Sequence, residues 1–306
     1  MKSGANPGSY LSTDVQKPVV RSLVAHWRVV HLLPMMSVPA ALAFHYFIVP
    51  VTAFDVSLFW AMWFVVGCLG ITTGYHRHYT HRSFTAVRPL RIVMGLAGSM
   101  AGQGPLIYWV ALHRLHHQNS DTLDDPHSPN INRDSARGIF RAFVRGHLGW
   151  VKDHQTPSLR KLAPDLLRDN IAVWVNDQYR LAMTLGLLLP MLAGFLWYHR
   201  LSGAIAGLLW GGFLRLCIGN QIVWAVNSVG HRWGRTAYNT GDFSRNNALL
   251  ALLSWGEGWH NNHHMNPASA SLGHRWWQVD FGFILIRLLK KFRLVESVRL
   301  PSRFTV

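Results

Sequence analysis

Charged residues and cysteines are both scarce in this sequence of 306 residues. Only 14% of the residues are charged, whereas a soluble globular protein carries about 25%, and 49% are hydrophobic. The shortfall of charge indicates that much of the chain lies in a membrane. The two cysteines, Cys68 and Cys217, lie inside apolar runs and form no CxxC pair, so the sequence indicates no disulfide framework.

Acidic residues are also few, and the formal net charge is +16. Such an excess of basic residues is typical of proteins that bind nucleic acid or an anionic membrane surface. The long uncharged runs favour the membrane, so we expect no nucleic-acid partner. The first 25 residues lack the apolar core of a signal peptide, and we expect the first true span to anchor the protein.

Four segments are apolar enough to cross a lipid bilayer, which takes about 20 residues. They cover residues 29–50, 56–73, 181–198 and 203–226. Very short turns join the first span to the second and the third to the fourth. We therefore predict an all-α integral membrane protein with four transmembrane helices in two hairpins. The predicted domain covers residues 29–290, between an N-terminal segment of residues 1–28 and a C-terminal tail of residues 291–306.

Arginines are distributed unevenly between the two ends of these spans. The two short turns contain only Arg200, whereas the opposite ends carry Arg21, Arg28, Arg77, Arg82, Arg88, Arg91, Arg168, Arg180, Arg232, Arg235 and Arg245. Lys and Arg near span ends mark the cytoplasmic side of a membrane. We therefore expect both termini and the middle region to be cytoplasmic.

A fifth apolar segment, residues 92–112, contains no charge and is also long enough to cross. Gly102, Gly104 and Pro105 make it a poor straight helix. A crossing there would also separate histidine motifs that precede and follow it. We therefore predict an interfacial or re-entrant segment.

Nine of the 18 histidines fall into a regular pattern. The first motif contains His76 and His81, the second His113, His116 and His117, and the third His260, His263 and His264, while Asn227 and His231 occur in the sequence NSVGH. Residues at i, i+3 and i+4 lie on one helix face, so each triplet is predicted to converge. His78 also lies in the first motif, but its spacing points it away, and we leave it out.

These imidazoles are enough for two metal ions, and nitrogen ligands suit iron, copper, zinc and nickel alike. A structural zinc site is the alternative, but such a site is usually four-coordinate and often uses cysteine. With four spans, all three motifs lie on the cytoplasmic face. The sequence therefore predicts one shared metal centre on that face.

The motifs resemble those of membrane fatty acid desaturases, and more narrowly the stearoyl-CoA or Δ9 acyl type found in bacteria. The resemblance covers about residues 30–290 and includes GEGxHNxHH at residues 256–264, NSxxH at residues 227–231, Asp125-Pro126-His127 and His147-Leu148-Gly149-Trp150. It implies a cytosolic helical cap that carries a di-iron site, with a kinked tunnel for the acyl chain. It also implies two iron ions, O₂ as co-substrate and two electrons per turnover from a separate carrier.

Carried over position by position, the resemblance assigns the iron ligands to His76, His81, His113, His116, His117, His231, His260, His263 and His264. Asn227 would hold a metal-bound water, and we expect no catalytic residue beyond the metal centre. Asp121, Asp124, Asp125 and Glu257 lie close in sequence and are candidates to fix the histidine tautomers. A solvated acidic loop or a helix cap is the alternative role for these four.

The sequence does not indicate which carrier holds the acyl chain, because it differs from the family pattern at one place. Animal acyl-CoA members have an Arg-Asp pair just before the second motif, where this sequence has Ala111 and Leu112. Acyl-lipid and acyl-carrier-protein substrates therefore stand beside acyl-CoA. Because no cytochrome-like domain is visible, we expect an external donor such as a ferredoxin or a cytochrome b5-like protein.

Related reactions remain as alternatives. Fatty acyl hydroxylases, acetylenases and alkane oxidases share such histidine motifs, although the GEGxHNxHH and NSxxH forms favour a desaturase that introduces a cis double bond. A membrane metal transporter is the alternative from another class. Its ligands would line a path through the spans, whereas these motifs cluster at one face.

Overall fold

The computed structural model describes residues 35–36, 38–131, 135–151 and 157–301, and the chain there is mostly helical. In chain order the helices are α1 (Val38–Phe47), α2 (Ala53–Thr80), α3 (Arg88–Ser99), α4 (Leu106–Asn119), α5 (Ala136–His147), α6 (Leu159–Leu162), α7 (Asn170–Asp177), α8 (Tyr179–Tyr198), α9 (Leu201–Ser228), α10 (Ala248–Leu253), α11 (His260–Met265) and α12 (Phe281–Lys291). Two short strands, β1 (Thr85–Ala86) and β2 (Val295–Glu296), pair antiparallel. The predicted N-terminal segment, residues 1–28, lies outside the described residues.

Among the described residues, three helices are long and apolar enough to cross a membrane, namely α2, α8 and α9. They contain the second, third and fourth predicted spans, so these three are confirmed as long apolar helices. The first predicted span begins outside the described residues, and α1 is a shorter apolar helix within it. On α8, large apolar side chains such as Leu192, Leu196 and Trp197 are exposed, as expected of a surface that lipid covers.

Helix α2 extends beyond the second predicted span and carries the first histidine motif itself. It is α-helical to Trp63 and π-helical from Phe64 to Thr80, and His81 is its C-cap. At its other end, Thr52 and Asp55 form a capping box, and the Tyr198 hydroxyl donates to Asp55 over 3.1 Å. This bond ties the start of α2 to the end of α8.

Helices α8 and α9 pack backbone to backbone through glycines. A Cβ on Gly207 would lie 2.1 Å from the Pro190 carbonyl oxygen, and one on Gly194 would lie 2.2 Å from the Gly203 oxygen. Small residues of this kind let helices approach closely inside a membrane, where van der Waals contact replaces the hydrophobic effect between helices. The predicted hairpin of the third and fourth spans is therefore held by its main chains.

Arg215 is a buried charge within α9 and joins three parts of the fold. Its guanidinium donates to the carbonyl oxygens of Met100 (2.7 Å), Gly186 (2.9 Å) and Gly211 (3.1 Å). Charged residues inside spans usually pair or face a cavity. The partners of Arg215 are backbone carbonyl groups at the end of α3, in α8 and in α9.

The apolar segment 92–112 forms parts of two helices. Helix α3 ends at Ser99, Gly102 and Gly104 adopt positive φ angles of 70° and 103°, and Pro105 precedes α4. Glycine tolerates this left-handed region, whereas other residues rarely do. The break turns α4 inward, where Val110 and Ala111 are fully buried, and brings its histidines against the end of α2.

We expect Gly207→Val to destabilise the protein by about 1–3 kcal/mol, because its side chain would have to displace the Pro190 carbonyl. The measurement is thermal unfolding of the detergent-solubilised protein. Ile205→Val, at a 40% exposed position of the same helix, is the control and should change little. Equal melting temperatures for the two variants would contradict the close packing of α8 and α9.

Candidate metal centre

The nine predicted histidines come together in two groups. The five-histidine group consists of His76, His81, His113, His117 and His263, and the four-histidine group consists of His116, His231, His260 and His264. Within each group, one ring nitrogen from every member lies within 4.8 Å of the others. The two groups are adjacent, since the rings of His117 and His264 stack with centroids 4.6 Å apart. The arrangement offers two neighbouring metal positions.

Each histidine triplet reaches the centre, but its members divide between the two groups. On α4, His113 and His117 belong to the five-histidine group, whereas His116 belongs to the other. On α11, His260 and His264 belong to the four-histidine group, and His263 belongs to the first. Residues at i and i+4 lie almost directly above one another on a helix, whereas i+3 points to the other side of that line. Each triplet therefore contributes to both positions.

The ring nitrogens face one another at distances that suit metal ligands. The Nε2 of His263 lies 2.9 Å from that of His117 and 3.1 Å from that of His76. In the other group, the Nε2 of His260 lies 3.0 Å from that of His231. Two imidazole nitrogens that each bind the same metal at about 2.1 Å, with an angle of about 90° between the two bonds, would lie about 3.0 Å apart.

Carboxylates contact the opposite ring nitrogen of four of these histidines. The Nδ1 atoms of His231 and His264 each lie 2.7 Å from the carboxylates of Asp121 and Asp242, respectively. His116 Nδ1 lies 3.0 Å from Asp125, and His76 Nδ1 lies 2.6 Å from Glu257. A carboxylate in this position holds the proton on Nδ1 and leaves Nε2 free to bind a metal.

The donor set therefore fits metal ions. The Nε2 atoms of His81 and His116 are buried and have no hydrogen-bond partner. Unpaired polar atoms in a protein interior are costly unless a ligand satisfies them. Nitrogen atoms that converge without protons between them repel one another, and a cation removes that repulsion. The geometry supports two metal ions, each held by imidazoles.

The protonation of four of the buried histidines agrees with metal binding. Burial lowers the pKa of His113, His117, His260 and His263 well below the usual range, and neighbouring imidazoles lower it further. Neutral imidazole is the form that binds a metal. Burial opposes ionisation of Asp121 as well, but hydrogen bonds from His231, Ser128 and Asn130 lower its pKa to about 2. The carboxylate is therefore charged at neutral pH.

Three of the four predicted carboxylates contact a histidine of the centre, and the fourth does not. Asp124 is exposed and hydrogen-bonds none of the nine histidines. Asp242 contacts His264, and the sequence did not indicate this contact, because Asp242 lies 22 residues from His264 in a loop without a motif. His127 is buried beside His116, with ring centroids 4.4 Å apart; its Asp125-Pro126-His127 motif was visible in the sequence, but His127 was not among the predicted ligands. His78 lies outside both groups, with Nδ1 3.1 Å from the Phe84 oxygen.

A buried network of ion pairs contacts the centre through His76. Arg77 lies 3.2 Å from Glu257 and 2.9 Å from Asp280, and Glu257 in turn contacts His76. Asp280 also caps α12 through the Phe283 amide. Arg77 stands within the first histidine motif, so its position was visible in the sequence, but its partners could be found only in the fold.

An apolar cavity of about 40 Å³ adjoins the histidines. Its walls include Trp63, Ile71, Trp109 and Val223, together with Asn227 and the ligand candidates His76, His113 and His260. The Trp109 ring stacks on the His113 ring, with centroids 5.1 Å apart. An apolar molecule in this cavity would therefore lie directly against the metal positions, and Asn227, which is half-buried, would face the same space.

Comparisons with known proteins place these observations in a family. The sequence matches the fatty acid desaturase family over residues 55–283. It is 36% identical to a hex-5-enoyl-[acyl-carrier protein] acetylenase of Moorena producens (strain JHB) over 90% of this chain and 86% of that protein. It is 34% identical to an sn-1 stearoyl-lipid 9-desaturase of Synechocystis sp. (strain ATCC 27184 / PCC 6803 / Kazusa), over 80% of this chain and 72% of that protein. It is 35% identical to an acyl-CoA C20 Delta5-desaturase of Anemone leveillei, over 82% of this chain and 77% of that protein.

We expect the purified protein to contain about two metal ions per chain, and His263→Ala or His260→Ala each to lower this content to about one. Each substitution removes a ligand from only one of the two groups. The measurement is elemental analysis of protein purified without added chelator. His78→Gln is the control and should keep both ions. Full metal content in both alanine variants would contradict the assignment of the two groups.

Proposed function

The chain belongs to the fatty acid desaturase family and is an oxidoreductase that acts on fatty acyl chains, and we propose that it inserts a cis double bond at Δ9 of a saturated chain. The observation that carries this proposal is the apolar cavity that opens onto two buried histidine groups. A chain of methylene groups would find an apolar wall and, beside it, two metal positions.

We propose that the metals are two iron ions, one held by the five-histidine group and one by the four-histidine group. Asn227 would place a water molecule at the iron of the four-histidine group. The bound irons would supply O₂ activation and the removal of two hydrogen atoms from an unactivated chain. The protein residues position that chemistry. Asp121, Asp125, Asp242 and Glu257 fix the tautomers of their histidines, and Trp109 holds the His113 ring in place.

The cavity would also exclude water from the site. Its wall is mainly apolar and includes Trp63, Ile71 and Val223. The short part of an acyl chain that enters this small cavity would displace water and gain about 0.8 kcal/mol per buried methylene group. Exclusion of water prevents loss of a reactive oxidant in side reactions.

For the membrane arrangement, we propose four spans in two hairpins, with the metal centre and both termini on the cytoplasmic side. The three long apolar helices and the arginines at one end of the predicted spans support this orientation. An external ferredoxin or cytochrome b5-like protein would then deliver electrons from the cytoplasm.

An acetylenase is the second candidate function. It is favoured by the identity of 36% with the Moorena producens acetylenase, which covers 90% of this chain. Both reactions remove two hydrogen atoms, from a single bond in one case and from a double bond in the other. The relatives are named for chains on acyl-carrier protein, on a lipid and on CoA, so each carrier is a candidate here.

We expect a host that expresses this protein together with an electron donor to accumulate new monounsaturated fatty acids with the double bond at Δ9. His113→Ala should abolish the product, because it removes a ligand of the five-histidine group. The measurement is mass spectrometry of total fatty acids after derivatisation of double bonds, with lipid, CoA and acyl-carrier-protein pools analysed separately.

His78→Gln, in the first motif but outside both groups, is the matched control and should retain the product. Alkynes in place of new alkenes would assign the protein as an acetylenase. Hydroxy fatty acids would contradict both proposals, and so would product from His113→Ala.

A further inference from the structure

The two histidine groups differ in the charges that lie behind their imidazoles. In the four-histidine group, His116, His231 and His264 each contact a carboxylate through Nδ1. In the five-histidine group, only His76 has such a contact within the described residues. The negative charge next to the metal positions is therefore concentrated on one side of the centre.

The carboxylates behind the four-histidine group are stabilised by neutral donors. Asp121 accepts hydrogen bonds from Ser128 (2.6 Å) and Asn130 (2.7 Å), and Asp242 accepts them from Thr240 and Ser244, both at 2.6 Å. Within residues 38–131, 135–151 and 157–301, no arginine or lysine forms an ion pair with Asp121, Asp125 or Asp242. In this part of the chain, their negative charge is therefore directed at the histidines that they contact.

Cations lie behind the five-histidine group instead. Arg77 pairs with Glu257, the carboxylate that contacts His76, and also with Asp280, so it offsets part of this negative charge. Arg114 donates to the Thr80 carbonyl at 3.0 and 3.2 Å, directly before His81, and pairs with Asp165. Positive charge therefore lies close to His76 and His81 of the five-histidine group.

Two physical effects follow from this difference. A carboxylate that accepts the Nδ1 proton makes the imidazole a stronger donor, and loss of such a partner typically lowers metal affinity by about 10- to 100-fold. Fixed negative charge also favours the more highly charged state of a nearby ion. The fifth imidazole of the other group adds a ligand, but it is neutral and adds no negative charge.

We propose that the two metal positions are electrostatically unequal, so that iron in the four-histidine group is oxidised before iron in the five-histidine group. This inference rests on the proposed function, because it takes both metals to be iron. Each Fe²⁺ that reacts gives one electron to a one-electron oxidant such as ferricyanide and becomes Fe³⁺, while ferricyanide is reduced to ferrocyanide. Asp121, Asp125 and Asp242 are positioning residues that act through their histidines.

The test is a redox titration of the full-length protein loaded with ⁵⁷Fe, reduced with dithionite and oxidised stepwise with ferricyanide. Mössbauer spectra recorded after one equivalent per chain should have lost one of the two Fe²⁺ doublets of the reduced protein and kept the other, whereas oxidation without preference would halve both. Iron content is measured on every sample, so a change in occupancy is separated from a change in potential.

Two groups of variants assign the order of oxidation. Asp242→Asn or Asp121→Asn removes negative charge behind the four-histidine group, so it should raise the first midpoint potential and bring the two midpoints together. Glu257→Gln removes charge behind the other group, so it should raise the second midpoint and move the two apart. Asp124→Asn, an exposed neighbour that contacts none of the nine histidines, is the matched control and should change neither.

Simultaneous oxidation of both irons in the unaltered protein would overturn the proposal. So would a second midpoint that rises in Asp242→Asn and Asp121→Asn, or a first midpoint that rises in Glu257→Gln. Failure of the proposed function gives a different result: a protein that holds two irons and shows two midpoints but makes no unsaturated product. Absence of bound iron would contradict both.

Discussion

The structure depends on holding nine imidazoles together with their Nε2 lone pairs turned toward two common points. Such an arrangement is unfavourable without a metal, because the nitrogens repel one another and two of the Nε2 atoms, those of His81 and His116, have no hydrogen-bond partner among the described residues. The surrounding fold opposes this repulsion with carboxylates on Nδ1 and with tightly packed helices. Metal binding should therefore contribute to folding stability as well as to chemistry.

The elements that meet at the centre have separate reasons for their positions. The π-helical end of α2 carries His76, the glycine break before Pro105 turns α4 inward, and α11 follows a turn in which Gly256 has a φ of 114°. A Cβ on Gly256 would lie 2.3 Å from Asp280, so the turn can approach the ion-pair network only as glycine. The network in turn joins the first and third histidine motifs through Arg77 and Glu257.

Much of this could be predicted from the sequence, because the signals are local. Runs of apolar residues predicted the long helices, and the spacing of histidines predicted the nine residues that meet. The helical period pairs His113 with His117 and His260 with His264, but the sequence could not predict which position each pair serves, since that depends on how α4 and α11 are placed in the fold. Asp242 and Asp280 were missed for a similar reason: each contacts its partner across a loop whose path only the fold determines.

Anomalous X-ray diffraction from crystals of the purified protein would show directly whether the two histidine groups hold two iron ions. Data are collected on either side of the iron absorption edge. We predict two anomalous peaks, one among His76, His81, His113, His117 and His263 and one among His116, His231, His260 and His264. A single peak, or peaks that appear only at the zinc edge, would contradict the claim.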